Sequence, residues 1–150
     1  MILINMNTKK LIIILGPTAI GKTSLSIKLA KHYKTEIISA DSRQFYKELK
    51  IGAAPPNQKH LSQIKHHFIH NLSVNEDYNV GKFEKDAMKK IKEIFEKKEK
   101  IIMVSGSGLY IDAICKGFDE MPNIPVKLRK KLIDLYENNG IDFLQIELKK

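Results

Sequence analysis

Eight residues, Gly16-Pro17-Thr18-Ala19-Ile20-Gly21-Lys22-Thr23, have the types and spacing to hold a phosphate chain. They read G-x-x-x-x-G-K-T. Gly16 and Gly21 let the backbone approach a ligand where a Cβ would intrude. The loop's N–H groups can then turn toward anionic oxygens, while Lys22 supplies a point charge for the outer phosphate and the Thr23 hydroxyl can ligate Mg²⁺. ATP, GTP and a bare pyrophosphate ester all suit such a nucleotide-binding cradle. A second reactive candidate is Asp41, which opens Asp41-Ser42-Arg43-Gln44. A carboxylate beside a bound phosphate can take a proton from an incoming nucleophile. Asp-Ser is also a frequent turn or helix-capping pair, so position alone leaves both roles open.

These residues need elements to bring them together. The branched aliphatics of Lys10 to Leu15 read as a buried strand, and Lys22 to His32 as the helix that the loop opens. Thr35 to Ala40 reads as a second strand that delivers Asp41 to its carboxyl end, where ligands of open α/β sheets bind. A third strand, Lys100 to Val104, runs into Ser105-Gly106-Ser107-Gly108-Leu109-Tyr110 and a helix from Leu109 to Lys116. A Walker-type ATPase or GTPase would place an aspartate at this strand's end to hold the Mg²⁺ shell. The glycine turn found instead allows close approach of an extended substrate, with Ser107 as a hydrogen-bonding group or as a plain helix cap.

Between these landmarks, Ile51 to Pro56 is a loop because of its paired prolines, followed by a short helix from Gln58 to Ile64. His66, His67 and His70 lack a carboxylate or cysteine at ligand spacing, so structural or substrate-contacting roles suit them better than metal binding. Val80 to Lys98 has the apolar spacing of an amphipathic helix. Met121 to Pro125 is a rigid break, and Val126 to Glu137 a basic amphipathic helix carrying Arg129. Asn138-Asn139-Gly140 ends that helix, and Ile141 to Lys150 begins another helical segment.

With 150 residues, 43% hydrophobic and 29% charged, the chain has the profile of one soluble globular domain. No apolar run approaches the roughly 18 residues of a membrane span. The Met1-Ile2-Leu3-Ile4 stretch is too short for a secretory leader, and Met6 is an alternative start, so the expected location is the cytoplasm. Cys115 sits in an apolar pattern, the setting of a small buried hydrophobe. The formal charge of +9 is carried almost wholly by lysine, Arg43 and Arg129 being the arginines; it fits an RNA partner or a solvated lysine surface.

Taken together, the loops resemble the tRNA dimethylallyltransferases, also called isopentenyl-tRNA transferases. The likeness rests on residues 16–23, Asp41 to Tyr46, Ile51 to Pro55, His66 to Ile69, Tyr78 to Phe83, Ser105 to Tyr110 and Pro122 to Arg129. It implies an α/β fold, a P-loop NTPase-like parallel sheet with flanking helices. It also implies transfer of a dimethylallyl group from its diphosphate to the exocyclic amine of the adenosine 3′ to the anticodon. By matching position, Gly16 to Thr23 would hold the diphosphate, Lys22, Thr23 and Mg²⁺ would assist its departure, and Asp41 would accept the proton. Asp41, Ser42, Arg43, Gln44, Ser107 and Arg129 would contact the tRNA. Ser105-Gly106-Ser107 stands where the family usually has Gly-Gly-Thr. Family chains run to about twice this length, so residues 1–150 are expected to be an incomplete, truncated core. The tRNA-contacting helical region would begin at about 117, and the chain, expected to be a monomer, would have weak or no activity alone. A P-loop small-molecule or nucleoside kinase and a non-catalytic RNA-binding remnant are the alternatives.

Overall fold

The structure is a computed structural model and describes residues 2–6, 8–117 and 124–149. The chain divides into two compact units, Met1–Phe118 and Asp119–Lys150.

The first unit is built on a five-stranded sheet. Its strands are β1 (Ile2–Met6), β2 (Lys9–Leu15), β3 (Ile37–Ser39), β4 (His66–His67) and β5 (Lys100–Ser105), in spatial order β1-β2-β5-β3-β4. The last four are mutually parallel, and β1 adds an antiparallel edge to β2. That edge strand was not among the sequence expectations. The helices are α1 (Lys22–His32), α2 (Gln58–Leu61), α3 (Val80–Phe95) and α4 (Gly108–Lys116). α2 and α3 end three residues sooner than the sequence pattern implies, while the helix after β5 begins one residue earlier, at Gly108.

Alternate residues of β2 face opposite ways, as the pleat requires, and each face builds its own core. Leu11 and Ile13 join Ile38, Ile101 and Met103 against Phe83, Ala87 and Ile91 of α3 and Ile111 of α4. Ile12 and Ile14 join Ile37 and Ile102 against Ile27 and Ala30 of α1. The continuous aliphatic run of β2 is therefore explained by helices on both sides. α3 is started by Asn79, whose side chain accepts the Lys82 N–H at 3.0 Å.

Below the Asp41–Gln44 turn lies an aromatic cluster. Phe45 is 1% exposed and stacks on Phe83 at 5.3 Å between ring centroids, with Tyr78 and Tyr110 edge-on at 5.7 and 5.6 Å. The backbone on either side of Phe45 is held too, since Gln44 O accepts the His70 N–H at 2.8 Å and Phe45 O accepts that of Leu72 at 3.0 Å.

In the second unit, α5 (Val126–Leu148) is two helices joined across Gly140, whose φ of 74° and ψ of −174° are not helical. The expected end of the first helix at Asn138-Asn139-Gly140, with a second helical segment from Ile141, matches this break. The expected rigid break at 121–125 lies, for its first three residues, outside the described residues. Among the described residues no helix is long and apolar enough to cross a membrane.

Phe45→Ala is expected to lower the unfolding free energy by about 3–5 kcal/mol, measured by urea denaturation. A loss under about 1 kcal/mol would mean that this ring does not anchor the turn above it.

Candidate active site

The carboxyl ends of β2, β3 and β5 point the same way, so the segments that follow them meet. A cleft of about 270 Å³ opens there. Thr18, Ala19, Gly21, Lys22 and Thr23 line it from the loop after β2, Asp41 and Gln44 from the turn after β3, and Ser105 and Gly106 from the end of β5. Ala53, Ala54 and Pro56 add a wall from the proline loop. Gly16, Pro17, Ile20, Ser42, Arg43 and Ser107 are not among the lining residues. Arg129 is exposed on α5, in the second unit.

The loop has the backbone of an anion cradle. Ala19 and Gly21 both have positive φ, 67° and 94°. A left-handed residue within such a loop rotates successive N–H groups toward a common centre. For Ala19 the conformation is strained, as it is for any residue with a Cβ. Gly21 is also the N-cap of α1 and supplies no side-chain acceptor, and the first turn of α1 has no acidic residue. The positive end of the helix is left free to act on a ligand. Lys22 is folded back across the loop, its Nζ donating to Gly16 O at 2.8 Å and Pro17 O at 2.6 Å. Those carbonyls hold the ammonium at the cradle, from where a phosphate can draw it by a side-chain rotation.

Asp41 is held from three directions. Its Oδ1 accepts the Arg43 N–H at 3.1 Å, which closes an Asx turn. Its N–H reaches Ser39 Oγ at 3.4 Å. Its Oδ2 lies where a Cβ on Gly106 would come within 3.3 Å, so a residue without a side chain leaves room for the carboxylate. Asp41 is thus both a turn residue and a cleft residue. Gln44 is occupied by the fold: Ser39 Oγ donates to its Oε1 at 3.0 Å, and its Nε2 donates to Ala53 O at 3.3 Å, tying the proline loop to β3.

Ser105 is the residue that sequence reasoning missed. It is fully buried, and its single hydroxyl proton is shared between Ala40 O and Ser107 O, each 2.8 Å away. Its oxygen also accepts the Ser107 N–H at 2.9 Å. One side chain therefore joins the residue before Asp41 to the glycine turn. Ser107 is the N-cap of α4 but makes no side-chain cap bond.

Magnesium prefers hard oxygen donors, keeps waters, and is commonly held by one or two protein groups together with substrate phosphates. The Thr23 hydroxyl in the cleft fits that pattern. Among the described residues no three His, Cys, Asp or Glu side chains gather as a metal site. A divalent cation here would therefore depend on the phosphates of the ligand.

Known proteins resemble this chain over most of its length. A family model for IPP transferase matches residues 44–150. The tRNA dimethylallyltransferase of Flavobacterium johnsoniae is 56% identical over 141 residues, which are 94% of this chain and 46% of that protein. The enzyme of the same name from Flavobacterium psychrophilum is 57% identical over 140 residues, 93% of this chain and 46% of its own length. The crystal structure of the full-length tRNA isopentenylpyrophosphate transferase from Bacillus halodurans superposes with a TM-score of 0.72 at 33% identity, over 95% of this chain and 47% of that one. A eukaryotic dimethylallyltransferase acting on tRNA gives 0.71 at 29% identity, over 79% and 31%. The chain spans about half the length of the curated relatives it matches.

Ser105→Ala leaves Ala40 O and Ser107 N short of a partner in a buried place. The expected loss is about 1–3 kcal/mol of stability, measured by urea denaturation; a change below about 0.5 kcal/mol would show that these bonds do not hold the two segments together.

Proposed function

The chain belongs to the IPP transferase family, and from that premise we propose that it carries the diphosphate cradle and the base of a tRNA prenyl transfer. The observation that supports this best is the presence of Lys22, Thr23 and Asp41 in one cleft. The substrates are dimethylallyl diphosphate and the adenosine 3′ to the anticodon of a tRNA. The adenine's exocyclic nitrogen bonds to the first carbon of the dimethylallyl group, and the bond from that carbon to the diphosphate oxygen breaks. The diphosphate leaves with the electron pair.

Residues 16–23 grip the leaving group through N–H donors and the positive end of α1, stabilising charge where it develops. Lys22 follows the outer phosphate. Thr23 and the phosphates would hold magnesium, which would supply further neutralisation of that charge when bound. Asp41 takes the proton from the alkylated amine, and its turn holds it ready to do so. Ser42, Arg43, Ser107 and Arg129 are proposed to touch the tRNA, and Gln44 to act by fixing the proline loop beside it. The adenine has to leave its stack to reach the cleft, as bases acted on by enzymes do.

The site lies within the first unit, and the chain is under half the length of its relatives. Diphosphate binding is therefore expected of these residues alone, with weak transfer to tRNA. Normal turnover on unmodified tRNA would overturn that expectation. The kinase that a P-loop alone would also suit is separated by ligand protection: dimethylallyl diphosphate is expected to raise the melting temperature more than ATP does.

In single-turnover assays of prenyl incorporation into unmodified tRNA, Asp41→Ala is expected to slow transfer by about 100-fold or more, with diphosphate affinity kept. Equal loss of both would assign Asp41 to binding or folding. Lys22→Ala is expected to weaken diphosphate binding as well as rate; unchanged binding would remove it from the cradle.

A further inference from the structure

The transfer chemistry leaves one wall of the cleft without a role. His66, the first residue of β4, lines that wall with His60 of α2 and with Ile37, its partner across the strand pair. Its Nδ1 lies 2.8 Å from Ile64 O. A carbonyl can only accept, so the proton of the neutral ring sits on Nδ1, and Nε2 is a bare lone pair. Burial, against an opposing pull from the Ile64 bond, and then the nearby His60 and His67 push the His66 pKa below its ordinary value. The ring thus stays neutral near pH 7, and Nε2 stays an acceptor. That atom is closed off from water and has no hydrogen-bond partner among the described residues. Folding leaves an acceptor in that state only at a cost, and a ligand that supplies a donor removes it.

The proposed substrates differ sharply in what they can offer. An ionised diphosphate presents only acceptors, and a dimethylallyl chain only hydrogens on carbon. A nucleoside presents N–H and O–H donors. We infer that His66 Nε2 accepts a hydrogen bond from an amine or hydroxyl of the substrate nucleoside, and so serves RNA recognition and not diphosphate binding. This inference rests on the transfer reading above. Rotamer changes in neighbouring side chains are common on binding, and here they would open Nε2 to the cleft.

Two variants separate this role from a structural one. In His66→Asn the amide nitrogen takes the place of Nδ1, keeping a donor for Ile64 and losing the acceptor. In His66→Gln the longer amide reaches the place of Nε2 and restores an acceptor oxygen. The probe is an unmodified tRNA anticodon stem-loop titrated into the 150-residue chain, with the backbone amides of residues 41–44 followed by NMR. Affinity for the stem-loop is expected to fall about tenfold in His66→Asn and to stay within about twofold in His66→Gln, with dimethylallyl diphosphate affinity unchanged in both.

Equal stem-loop affinity in the unmutated chain and His66→Asn overturns the inference, as does equal loss in both variants or loss of diphosphate affinity. The unmutated chain gives the same test without substitution: the ¹⁵N resonance of His66 Nε2 is expected to move on adding the stem-loop and to stay in place with dimethylallyl diphosphate. A resonance that ignores the RNA while amides 41–44 respond to it overturns the inference alone. A stem-loop that moves none of these signals overturns the transfer reading, and the inference with it.

Discussion

A carboxylate working beside a diphosphate is repelled by the ligand it serves, and much of the first unit can be understood from that constraint. The cleft needs positive potential already close to where the ligand arrives. Ala19 and Gly21 in left-handed conformations, the uncapped start of α1 and the ammonium of Lys22 supply it from one side. Asp41 stands on a separate strand end, fixed by its Asx turn and by the room that Gly106 leaves. The two sides are kept in place by the parallel pairing of β2, β5 and β3, with β5 between them.

The same division explains the polar packing around the cleft. Ser105 ties β5 to the residue before Asp41, and Gln44 ties β3 to the proline loop. Phe45 fixes the turn from below. Both helices that start after the carboxyl ends of β2 and β5, α1 and α4, lack a side-chain cap, whereas Asn57 and Asn79 cap α2 and α3.

Much of this was legible because it depends on local pattern. The aliphatic run of β2, the G-x-x-x-x-G-K-T loop and the periodic apolar face of α3 each identify an element from adjacent residues alone. β1 was not legible, since a brief apolar run has no period and becomes a strand only by pairing with β2. β4 is two histidines whose strand character comes from Ile37 and Ile38 alongside. The positions of Asp41 and Lys22 in one cleft followed from strand ends, but the tether from Ser105 to Ala40 spans 65 residues and leaves no local signal. The tautomer of His66 likewise depends on where Ile64 O lies. The break at Gly140, with helix on either side of it, was legible from Asn-Asn-Gly.

The central claim is that residues 16–23 close on a diphosphate next to Asp41. A crystal structure of the chain with dimethylallyl diphosphate tests it most directly. Lys22 Nζ is expected to leave Gly16 O and Pro17 O for the outer phosphate, with the allylic carbon facing Asp41. Phosphates bound away from the loop, or a lysine still seated on its two carbonyls with ligand in the cleft, would contradict it.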